Sequence, residues 1–142
     1  MGEILKEFYE AVTYIKSKGW ETLIFIDCET TGKPIVPYIA VKLSQDLTLN
    51  VILNDTYYID INYKTEEWCK KMLEKEGKIP TIAGMIMFGQ VQYSPEGNLL
   101  TTKEELNTFK NRMTEKEGEL FIQFVKDLYY FFKPNSINFI ME

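Results

Sequence analysis

"LTLNVILNDTYYIDINY", residues 47–63, decides the fold. Leu47, Leu49, Val51 and Leu53 alternate with Thr48 and Asn50, and after Asn54-Asp55-Thr56 a second alternation carries Tyr57, Ile59, Ile61 and Tyr63. Successive side chains on a strand point to opposite faces, so each run buries one face. A short Asn-Asp turn between two such runs predicts an antiparallel β-hairpin with Leu49, Val51, Ile59 and Ile61 in the core.

On the amino-terminal side, residues 20–28 and 34–43 read as two further strands, the second with Ile35, Ile39, Val41 and Leu43 on one face. Pro37 has no amide hydrogen to give a neighbour, which predicts an edge strand or a bulge there. Before them, Ile4, Phe8, Val12 and Ile15 recur at helical spacing over residues 3–18, and Gly19 stops the helix. After the hairpin, Thr65 caps a helix through about Glu76, with Trp68, Cys69, Met72 and Leu73 as its buried stripe. Residues 81–93, "TIAGMIMFGQVQY", are apolar on both faces as far as Phe88, which predicts a strand placed centrally in the sheet. Gly84 and Gly89 inside it mark bulges or close packing. "SPEGN" is a turn, and Thr102 with Glu105 makes a capping box that opens the longest helix. Leu106, Phe109, Met113, Leu120, Phe124, Leu128 and Phe131 keep register along it, but Glu117 falls on that stripe beside Gly118. The segment is therefore bent there or is two helices, the second capped by Thr114 and Glu117. Pro134 ends it, and "INFIM" is a short last strand.

Composition narrows the chemistry. At 142 residues, 45% hydrophobic and 26% charged, the chain is an ordinary globular protein of one domain, residues 1–142. No apolar run reaches the roughly 20 residues that span a bilayer, so no membrane association is expected. The net charge of −5 and a single arginine, Arg112, disfavour a broad phosphate-gripping face. Cys28 and Cys69 are too few for a zinc site or a disulfide framework and fit reduced thiols in the cytoplasm. The chain has no histidine, which removes imidazole bases, Ser-His and Cys-His nucleophiles and histidine metal ligands. Any catalysis must use carboxylates, lysines, tyrosines or an oxygen-liganded cation.

One stretch carries such chemistry. "FIDCETTG", residues 25–32, resembles the first motif of the DEDD-type 3′–5′ exonucleases, a strand that delivers Asp-x-Glu followed by Thr-Thr-Gly. The resemblance implies an RNase H-like α/β fold, and Asp27 and Glu29 as ligands of Mg²⁺ or Mn²⁺ that activate water against a nucleic acid. Two further aspartates are needed, and the positions offered are Asp60, in a hairpin strand near Asn54 and Tyr58, and Asp127, in a late helix with Gln123 where one subfamily has tyrosine. A restriction-endonuclease-like layout is also approached by Asp27 and "IAVK", with Ala40 where the second acid belongs. The plain alternative is a buried strand running into a Thr-Thr-Gly-Lys-Pro turn.

The leading reading is a single α+β domain: a mostly antiparallel sheet of five or six strands with an amino-terminal helix, a middle helix and a long carboxy-terminal helix. Its expected role is a non-catalytic binding or assembly protein without cofactor, meeting a protein partner or a second copy of itself as a homodimer. The alternative is the metal-dependent nuclease using Asp27, Glu29, Asp60 and Asp127, with nucleic acid as substrate.

Overall fold

The computed structural model describes residues 2–27, 36–53, 56–64, 70, 74 and 85–132. Along the chain run α1 (Gly2–Ser17), β1 (Thr22–Asp27), β2 (Val36–Lys42), β3 (Leu47–Leu53), β4 (Tyr57–Lys64), β5 (Met85–Tyr93), α2 (Lys103–Asn111) and α3 (Glu115–Phe132). The five strands form one sheet in the order β1-β2-β3-β4-β5, and every neighbouring pair is antiparallel. This is the α+β architecture; an α/β fold would need parallel neighbours. The expected 65–76 helix lies outside the described residues except at Lys70 and Glu74, both helical. The last strand, "INFIM", and residues 81–84 also lie outside them.

The hairpin forms as its alternation demands. Leu49 pairs with Ile61 and Val51 with Ile59, and all four are buried. Against this face α1 sets Phe8, Ala11, Val12 and Ile15, and α3 sets Phe121, Phe124, Val125 and Leu128. The helices thus cover one side of the sheet, and the core lies between the two layers.

Two expectations about strand position are corrected. β2 is the second strand of the sheet, and no register shift occurs at Pro37, which pairs with Ile26. Its pairing with β3 starts one residue later, at Tyr38 opposite Ile52, so the missing N–H falls where only β1 is paired. Among the described strands β5 is the last in the order, where a central one was expected. Its apolar run has another cause. Ile61 pairs with Gly89 but Asn62 pairs with Met87, leaving Phe88 as an extra residue. A bulge reverses which side chains face the core. Ile86 is buried before it and Val91 and Tyr93 after it, while the Phe88 ring lies 4.9 Å from Tyr63. Gly89 is needed beside it, because an added Cβ would lie 2.8 Å from the Phe109 ring of α2.

The carboxy-terminal segment is two helices, each opened by a capping box. Glu105 N donates to Thr102 Oγ1 at 3.2 Å and Thr102 N to Glu105 Oε1 at 3.2 Å. Glu117 N donates to Thr114 Oγ1 at 3.2 Å and Thr114 N to Glu117 Oε1 at 3.0 Å. Glu117 stands on the apolar stripe because it does more than cap. It is only 5% exposed, and it also accepts from Ser44 Oγ at 2.6 Å and from the Tyr63 hydroxyl at 3.2 Å. Burial, then the Glu117 charge, push the Tyr63 phenol far above its ordinary range. One carboxylate therefore joins the start of α3 to the β2–β3 turn and to β4.

Candidate functional site

The four acids expected from the sequence do not form one cluster among the described residues. Asp27 ends β1 with its backbone opposite Val36, and Glu29 lies outside the described residues. Asp60 lies between the core residues Ile59 and Ile61, which sets it on the face of the sheet away from the helices. There it accepts from Gln90 Nε2 at 2.6 Å, and Gln92 Nε2 donates to Gln90 Oε1 at 2.7 Å. Asp127 is on α3, across the sheet, and accepts from Trp20 Nε1 and from Gln123 Nε2, both at 2.8 Å. Asp60 and Asp127 therefore cannot share a cation. Among the described residues no three carboxylate or thiol side chains are grouped to hold a metal, and no helix is long and apolar enough to cross a membrane.

A concave surface lies instead where α1 meets the end of α3. With Phe8, Ala11, Val12 and Ile15 turned inward, α1 presents Tyr9 and Thr13, four residues apart, on another face. The Tyr14 ring reaches Phe131 of α3 at 5.1 Å. The resulting groove, about 590 Å³, has Tyr9, Thr13, Tyr14, Ser17 and Phe131 in its wall and Lys6 and Glu10 at one end. Tyr9 is 51% exposed in it, an unusual position for a large aromatic ring.

From Lys6, Glu10 and Phe131 the surface continues into a second cleft of about 380 Å³, bounded by Glu7, Tyr57, Phe132 and the Pro95-Glu96-Gly97 turn. The Tyr57 hydroxyl donates to Glu7 Oε2 at 2.8 Å, and its ring stacks on Phe132 at 4.8 Å. Burial, then this hydrogen bond and the Glu7 charge, push the Tyr57 phenol up to about 12. Burial, then Asp127, raise the Tyr14 phenol. Gly97, at φ +87°, turns the β5–α2 connection tightly against α3, where a Cβ would meet Phe132 Cβ at 2.5 Å. Both cavities thus have aromatic walls, and they meet at Lys6, Glu10 and Phe131.

The sequence pattern placed Phe131 in the core stripe and Tyr57 in the hairpin alternation, and gave no role to Tyr9 or Tyr14. The available signal was Tyr9 with Thr13, which fall off the stripe that buries α1. No protein-family model, curated protein or solved structure matches the chain. The geometry of this surface carries the functional reading.

Proposed function

We propose that the chain is a non-catalytic binding protein and that the groove between α1 and the carboxy-terminal end of α3 is its contact site. The observation that carries the reading is the groove itself: a concave aromatic wall with Tyr9 half exposed, on two helices packed against the sheet. Aromatic side chains give large contact area at little cost in side-chain entropy, which is why they anchor interfaces. Both helices pack into one core, with Trp20 bonded to Asp127.

A neutral solvatochromic dye, Nile red, tests the site. Wild type is expected to bind the dye with a blue-shifted emission, and Tyr9→Lys with an unchanged circular dichroism spectrum is expected to lose most of it. Equal dye binding by the two proteins would remove the groove as the contact site.

A further inference from the structure

The groove and its neighbouring cleft meet at Lys6, Glu10 and Phe131, and the cleft beyond adds Glu7 and Glu96. Taken together, their described lining residues set three carboxylates against the one ammonium of Lys6 beside an aromatic wall. Glu7 is engaged by Tyr57, whereas among the described residues no hydrogen bond or ion pair engages the side chains of Glu10 and Glu96. The aromatic wall already takes a cation from its own chain, since Lys18 Nζ lies over the Tyr14 ring at 5.4 Å from its centroid. Carboxylates and aromatic faces both favour ammonium and guanidinium groups.

We propose that this surface docks a basic segment of a partner protein, one in which an apolar anchor is flanked by lysine or arginine. The anchor lies against Tyr9, Tyr14 and Phe131, and the flanking cations reach Glu10 and Glu96. This rests on the groove being the contact site and adds the chemistry of what occupies it. A second copy of the chain fits poorly, because it brings a net charge of −5 to an acidic rim. An anionic lipid surface is disfavoured for the same reason.

Fluorescence anisotropy of the full chain with three short labelled peptides tests the assignment. The probes share a leucine framework and carry lysine, glutamine or glutamate at the remaining positions. The lysine peptide is expected to bind about tenfold or more tightly than the glutamine peptide, the glutamate peptide not at all, and binding should weaken from about 50 to about 500 mM salt. Glu10→Gln with Glu96→Gln should reduce lysine-peptide affinity about tenfold, whereas Glu104→Gln with Glu119→Gln, equal in charge but elsewhere on the surface, should leave it unchanged. Equal loss in both double variants would mean non-specific attraction and overturn the proposal. So would lysine and glutamate peptides of equal affinity, or no peptide binding. If Nile red is still lost in Tyr9→Lys when the peptides fail, only the basic partner is wrong. If the dye result fails as well, the groove itself is wrong.

Discussion

Single side chains bear unequal weight in this molecule. Glu117 is a buried acceptor for three donors that would lose it: the hydroxyls of Ser44 and Tyr63 and the Thr114 amide. Glu117→Leu is therefore expected to cost about 2–4 kcal/mol in urea unfolding, and Glu117→Gln, which keeps an acceptor oxygen, less. An equal cost for both would mean that packing, not hydrogen bonding, holds this point. Tyr57 gives a pH signature. Its folded pKa of about 12 exceeds the ordinary phenol value of about 10, so its contribution to stability is complete below about pH 10 and is lost as pH rises towards 12. Tyrosinate absorbance should show several late-titrating phenols, Tyr57 with the buried Tyr63 and Tyr93, and Glu7→Gln should move one of them down but not to its ordinary value, because burial is the larger cause. A titration unaltered by Glu7→Gln would contradict the Tyr57–Glu7 bond. Asp27 tests the exonuclease resemblance. With Asp60 and Asp127 on opposite sides of the sheet, the purified protein is expected not to degrade DNA or RNA with Mg²⁺ or Mn²⁺. Degradation by wild type that Asp27→Asn abolishes, with folding intact, would install the nuclease.

At the scale of elements, what was legible in the sequence followed local rules. The β3–β4 hairpin could be read because strict alternation and a short turn fix both strand and register. The capping boxes at Thr102 and Thr114 could be read because donor and acceptor lie three residues apart. The position of β5 could not. A bulge makes a half-buried strand apolar on both faces over a few residues, and this imitates a strand covered on both sides. Nor does Pro37 mark an edge, since strand ends are staggered and β3 pairing begins one residue beyond it. Gly89 is the residue through which the bulged strand admits α2. Gly89→Ala would drive a methyl group into the Phe109 ring, at an expected cost of about 1–3 kcal/mol. Phe109→Leu in the same chain should recover part of that loss. Unfolding curves showing no cost for Gly89→Ala would mean that Phe109 is not held against the strand.

The candidate site belongs to the whole molecule, and this is why the sequence hid it. Tyr9 and Phe131 are separated by most of the chain, and only the packing of α1 beside α3 makes one groove of them. The acidic motif was legible because its residues are consecutive, yet Asp60 and Asp127 show how little consecutive spelling says about convergence in space. Composition carried one more expectation, a homodimer. The groove is a poor self-contact, so a dimer would use the sheet face away from the helices. Leu23 on β1 and Met87 on β5 are 63% and 54% exposed there, with half-buried Ile52 on the same face between them. An isologous contact needs a surface that does not repel its own copy, and these uncharged positions meet that condition. Light scattering of concentrated protein is expected to give twice the monomer mass, and Leu23→Lys is expected to restore the monomer without changing the circular dichroism spectrum. A monomer mass for wild type would remove self-association through this face.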